Sequence, residues 1–134
     1  MSERTGNGRR ILIADDGVIT RKLLERKLIA LGFEVICAAD GVEALQCMSN
    51  ELPTAVITDL NMPNLDGLEL CRSMSLDSRL AAIPTILTGA NEVTESDRQR
   101  ALAAGASSCV HRTPGLSEVV SALFNEIDGS REGQ

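Results

Sequence analysis

AVITDLNMPNLDGLEL, residues 55 to 70, ends a β-branched apolar run on an acid, Asp59, with Met62-Pro63 and Asp66-Gly67 just behind it. The run is short and continuously apolar, which suits a strand buried on both faces. Pro63 and the Asp66-Gly67 step signal a turn. From residue 65 to 75 the apolar positions take helical spacing. An acid at a strand end is ordinary by itself, because Asp often ends strands and caps helices. Its meaning depends on the other strand ends.

The same two patterns alternate along the chain. Strand-like runs occur at RILIA (10–14), FEVICA (33–38), TAVIT (54–58), PTILT (84–88) and SSCVH (107–111). Amphipathic stretches fill 17–31, 41–50, 65–75, 92–104 and 115–127, the first carrying Leu23, Leu24, Leu28 and Leu31 at helical spacing. Gly32 and Gly105 stand where helices end on a glycine, and Asp40-Gly41 marks a turn. Alternation of this kind predicts an α/β fold: a five-stranded parallel sheet flanked by five helices, doubly wound, with right-handed crossovers. Residues 9–128 form one domain on this reading. The Gly-, Ser- and charge-rich ends, 1–8 and 129–134, are expected to be loose.

Composition narrows the function classes. The 134 residues are 43% hydrophobic and 24% charged, an ordinary globular mix. Phe33 and Phe124 are the only aromatics, so the core must be aliphatic. A net charge of −6 argues against a nucleic-acid partner, which needs clustered cations. The basic steps Arg9-Arg10, Arg21-Lys22 and Arg26-Lys27 read as solvated. No apolar run nears the length of about eighteen residues that a membrane span requires, and MSERTGNGRR lacks a signal peptide's apolar stretch. A cytoplasmic protein without a membrane partner is expected. Cys37, Cys47, Cys71 and Cys109 lack CxxC spacing and sit among apolar neighbours, as reduced, packed thiols do.

In open α/β sheets ligands bind beyond the carboxyl ends of the strands. Those ends carry Asp15 and Asp16 after the first strand, Asp59 after the third, Thr88 after the fourth, and His111 and Arg112 after the fifth. Taken singly, Asp15, Asp16 and Asp59 read as well as caps, Thr88 as a strand residue and Arg112 as a solvated side chain; His111 is given no role. Together they suggest a site. Three carboxylates at one edge must protonate, splay apart or bind a cation. Oxygen-only donors suit a hard divalent ion, with Mg²⁺ ahead of Ca²⁺. A cation and a hydroxyl beside such an ion suit a phosphoryl group, and Asp can itself be the nucleophile that forms an acyl phosphate. No glycine-rich phosphate loop follows the first strand, so a nucleotide site is not expected.

The order of these segments resembles the receiver domain of two-component response regulators, over residues 10 to about 127. DLNMPNLDG (59–67) resembles the phosphoacceptor loop, ILIADDG the acidic pair and ILTGA the hydroxyl-bearing strand. AGASSCVHRTP resembles the segment that normally carries a Lys followed by Pro. The resemblance implies a flavodoxin-like fold and phosphoryl transfer to Asp59 from a histidine kinase or phosphotransfer protein. It implies Mg²⁺ held by Asp15, Asp16, Asp59 and the backbone carbonyl of Asn61, with Thr88 bonded to the phosphoryl oxygens. Such a protein is not an enzyme on other substrates, since its chemistry acts on its own Asp59.

Two departures stand out. Counting from Gly105, the Lys position falls on Arg112, with Thr113 inserted before Pro114; fixing Pro114 instead puts Thr113 there. The first alignment keeps the strand's register and is preferred. The cis bond that often follows the Lys in this family would fall at Thr113–Pro114. Cys109 stands where members of the family often carry a Tyr or Phe that turns inward to report phosphorylation, and it has no ring to turn. The short tail after the last helix leads one to expect signalling through an unidentified downstream protein or onward transfer, with Val18 and Ile19 as candidate kinase contacts. A degenerate receiver that binds partners without phosphorylation is the alternative. A cofactor-binding flavodoxin or a haloacid-type phosphatase would need a phosphate loop or an Asp-x-Asp motif, and neither is present.

Overall fold

A computed structural model describes residues 4–129. The element order is β1 Arg10–Ala14, α1 Val18–Ala30, β2 Glu34–Ala38, α2 Gly41–Asn50, β3 Ala55–Asp59, α3 Gly67–Ser75, β4 Thr85–Gly89, α4 Glu95–Ala104, β5 Ser108–His111 and α5 Ser117–Asp128. All strand pairs are parallel, in the order β2-β1-β3-β4-β5. The strand order reverses between β1 and β3, which opens a crevice at their carboxyl ends.

Alternate residues of each strand feed opposite cores, as the pleat requires. Ile11, Ile13, Ile57 and Ile86 pack with Leu24 and Leu28 of α1 and Val119, Leu123 and Phe124 of α5. On the other face Leu12, Ala14 and Val56 meet Ala44 and Met48 of α2 and Leu70 and Met74 of α3. A third cluster joins Leu87 and Cys109 to Cys71 of α3 and Ala101 and Ala104 of α4. Burial on both faces explains why the strands read as unbroken apolar runs. Within the α1 stripe, Leu23 departs from the expectation and is exposed.

The helix ends follow local chemistry. Asp66 and Glu69 form a capping box that starts α3, and Thr94 with Asp97 does the same for α4. Those caps place both starts later than apolar spacing suggests. Asp40 caps α2 through the Glu43 amide. Gly105 ends α4 at φ 103°, a left-handed conformation that glycine takes without steric cost.

The amino-terminal expectation needs correction over residues 4–8. The Gly6 amide donates to the Leu31 carbonyl at 2.6 Å and the Gly8 amide to the Gly32 carbonyl at 2.8 Å. Arg4 and Arg9 lie over the rings of Phe124 and Phe33, which meet each other with centroids 5.4 Å apart. Arg9 pairs with Asp128 at 2.8 Å, and Arg10 with Glu34 and Glu51. Arg9 and Arg10 are therefore engaged rather than solvated. Gly129, the first residue of the expected carboxyl-terminal loose end, donates its amide to the Asn125 carbonyl; residues 1–3 and 130–134, the rest of those ends, lie outside the described residues. Among the described residues no helix is long and apolar enough to cross a membrane.

Candidate functional site

Strand register brings the polar residues to one edge. Ala14 pairs with Thr58 and Asp59 with Thr88, so the chain leaves β1 and β3 side by side at the crevice. One carboxylate oxygen from each of Asp15, Asp16 and Asp59 lies within 4.8 Å of the others. Asp15 is buried, Asp59 half-buried and Asp16 exposed. From β5, Arg112 reaches the same place: its Nη1 donates to Thr88 Oγ1 at 3.2 Å and stands 3.6 Å from Asp15 Oδ2 and 3.8 Å from Asp59 Oδ1. Arg112, rather than Thr113, thus supplies the cation. The Thr113 carbonyl accepts from the Leu116 amide at 2.9 Å, and the Thr113–Pro114 bond is trans.

Local structure explains how each acid is aimed. The Gly17 amide donates to Asp15 Oδ1 at 2.8 Å, while α1 starts at Gly17 without a side-chain cap. Neither Asp15 nor Asp16 caps that helix. The Asn61 amide donates to Asp59 Oδ1 at 3.3 Å, which leaves Asn61 at the exposed rim two residues beyond Asp59. The loop then turns through Asn64 at φ 68° and closes with the Gly67 amide donating to the Leu60 carbonyl at 3.1 Å. A side chain at Gly67 would overlap the Asp59 carbonyl oxygen and come to 2.8 Å from Leu87 Cδ2. Only glycine lets α3 begin this close to the acid.

Burial pushes the Asp59 carboxyl above the ordinary carboxylate range, and the nearby Asp15 charge adds to it; the Asn61 amide and Arg112 offset part. Burial likewise raises Asp15, opposed by the Gly17 amide and then Arg112, while Asp16 pushes it further up. Three ionised acids and one guanidinium leave an excess of two negative charges. An all-oxygen donor set with that excess fits a divalent hard cation.

Sequence reading missed Arg21. It was expected in solvent, yet its Nη1 donates to the Asp15 carbonyl at 2.6 Å. Nothing in the local pattern signals this, because it depends on which way one long side chain turns. His111 Nε2 lies 3.3 Å from the Ala90 carbonyl, outside the carboxylate cluster. Val18 and Ile19 are exposed beside the site. Cys109 is buried in the α3–α4 cluster. All four cysteines are free thiols, two of them buried and two half-buried.

The sequence profile of the response regulator receiver domain matches residues 11–124. "Response regulator MprA" of Mycobacterium sp. (strain KMS) is 39% identical over 114 residues, covering 85% of this chain and 48% of that protein. "Probable transcriptional regulator ycf27" of Cyanophora paradoxa is 38% identical over 104 residues, covering 78% of this chain and 42% of that protein. The chain thus spans less than half the length of these relatives. Among solved structures, the signal receiver domain of a signal transduction histidine kinase from Syntrophus aciditrophicus is 27% identical at a TM-score of 0.81, covering 91% of this chain and 92% of that one. The chemotaxis response regulator CheY4 of Vibrio cholerae is 25% identical at 0.83, covering 89% and 98%. The name of the Cyanophora relative speaks of transcription, so the expected absence of a nucleic-acid partner finds no support there.

Proposed function

This chain belongs to the response regulator receiver family of two-component signalling, and on that premise we propose that Asp59 is its phosphoacceptor. The observation that carries the proposal is the gathering of three carboxylate oxygens within 4.8 Å, faced by Arg112 and Thr88. Asp15, Asp16, Asp59 and the Asn61 carbonyl would hold Mg²⁺, which when bound neutralises phosphoryl charge. Asp59 presents the attacking oxygen. An O–P bond forms as the P–N bond of the donor phosphohistidine breaks, and the imidazole leaves. Thr88 then donates its hydroxyl to one phosphoryl oxygen. Arg112 turns from the carboxylates toward the other oxygens, where its fork can grip two at once. Catalysis of this kind is positioning and charge neutralisation. The donor is a histidine kinase or phosphotransfer protein. The reading places the chain in the cytoplasm, where its free thiols would stay reduced.

Beryllofluoride, a stand-in for the phosphoryl group, tests the proposal. With Mg²⁺ it should shift the amide resonances of Asp59, Thr88 and Arg112 in the wild type and leave Asp59→Ala unmoved. Still resonances in the wild type would instead favour a module that binds partners without phosphorylation.

A further inference from the structure

Arg21 is the fourth residue of α1, a poor place for a cation, because the amino-terminal end of a helix carries partial positive charge. The first turn of that helix holds no acidic residue to offset it. The side chain is half-buried and folds back over the β1–α1 loop, where Nη1 donates to the Asp15 carbonyl at 2.6 Å. That carbonyl belongs to the peptide joining Asp15 to Asp16. The peptide is planar, so fixing its oxygen also fixes the direction in which the Asp16 backbone departs. Asp15 is held at two further points, by its amide on the Ala38 carbonyl at 3.0 Å and by the Gly17 amide on its carboxylate. Asp16 has no such hold. Its carboxylate is exposed and has no hydrogen-bond partner among the described residues, so only its backbone keeps it within 4.8 Å of the other two acids.

We propose that Arg21 is a positioning residue for the acidic pair: by pinning the Asp15–Asp16 peptide it sets where the Asp16 carboxylate stands, and so how tightly the cluster takes a divalent cation. The proposal rests on the reading of the cluster as a Mg²⁺ site. Arg21 touches neither the cation nor the phosphoryl group and acts only through the peptide. Arg21 holds that carbonyl through one Nη1 bond, and a lysine at the same position could reach the oxygen only with an ammonium on a more flexible stem.

The test is a titration of the full chain with Mg²⁺ alone, followed through the Asp16 amide and the Asp15 carbonyl carbon by NMR. Arg21→Met keeps the aliphatic stem and removes the donor. It should weaken Mg²⁺ binding about tenfold, the lower end for loss of a group that orients a ligand, and shift the Asp15 carbonyl signal before any metal is added. Arg21→Lys should recover part of the affinity, and exposed Lys22→Met should match the wild type. A purely helix-stabilising role would lower the melting temperature without moving either the affinity or that carbonyl signal. If Arg21→Met fails to fold, Arg21→Gln is read in its place against the same threshold. A wild type that binds Mg²⁺ alongside a folded Arg21 variant within about twofold of it overturns this proposal alone. A wild type that does not respond to Mg²⁺ overturns the reading of the cluster and this proposal with it.

Discussion

Replacing Asp59 by Asn in the metal-free protein should make it more stable, although the substitution destroys the proposed phosphoacceptor. The side chain keeps its shape and its acceptor for the Asn61 amide, while one of three crowded charges is removed. With one oxygen of each acid within 4.8 Å of the others and an effective dielectric near 20, each repulsion Asp59 feels from Asp15 and Asp16 is about 3.5 kcal/mol. Its attraction to Arg112 at 3.8 Å is about 4.4 kcal/mol on the same scale. The two repulsions outweigh the one attraction by about 2.5 kcal/mol, and side-chain relaxation brings the expected gain to about 1–2.5 kcal/mol. For a chain of this size that corresponds to a rise of about 4–10 °C in Tm.

The assay is thermal unfolding by circular dichroism in chelator and then in Mg²⁺. An ion at about ten times its Kd adds about 1.4 kcal/mol to the wild type, and the Asn variant should gain less. The pH dependence has a definite sign. Asp15 and Asp59 are raised above 3.8, so the folded chain holds these protons more tightly than the unfolded one. That preference favours the fold in acid and is lost as pH rises through the raised values. The advantage of Asp59→Asn should therefore vanish below pH 3.8 and open as pH rises. A variant no more stable than the wild type in chelator at neutral pH, or one that gains as much from Mg²⁺, would refute the reasoning.

Arg112→Ala should destabilise the metal-free protein by about 2–4 kcal/mol, because it leaves two largely buried carboxylates without their cation, and Arg112→Lys should recover much of that; urea unfolding reads both. Gly67→Ala should cost about 2–3 kcal/mol through overlap with the Asp59 carbonyl, and amide shifts at Asp59 and Leu60 would show the loop displaced. Thr94→Ala removes the cap of α4 and should cost about 1 kcal/mol, read by urea unfolding with little change in Mg²⁺ affinity.

The sheet was legible because burial on both faces forces continuous apolar runs, and the five strands fall within a residue of their expected places. Helix starts were less so. The capping pairs Asp66–Glu69 and Thr94–Asp97 are visible as spacing, but apolar periodicity alone placed α3 and α4 too early. Asp15, Asp16, Asp59, Thr88 and Arg112 could be found because parallel strands deliver their ends to one edge. Arg112 over Thr113 was legible through the register of β5, and the contacts of Arg112 with Thr88, Asp15 and Asp59 agree with it. The hold on residues 4–8 and the return of Arg21 were not legible, for a common reason. Both depend on long side chains and backbone groups meeting partners that no local pattern announces, such as Phe33, Phe124 and the Asp15 carbonyl.

An acyl phosphate can be trapped by borohydride, which reduces the modified aspartate to homoserine and marks its position for peptide mapping. After incubation of the full chain with a small-molecule phosphodonor and Mg²⁺, the mark should fall on Asp59 and disappear when Mg²⁺ is chelated. Homoserine at another aspartate, or an unmodified Asp59 in a folded protein supplied with donor and Mg²⁺, would contradict the account.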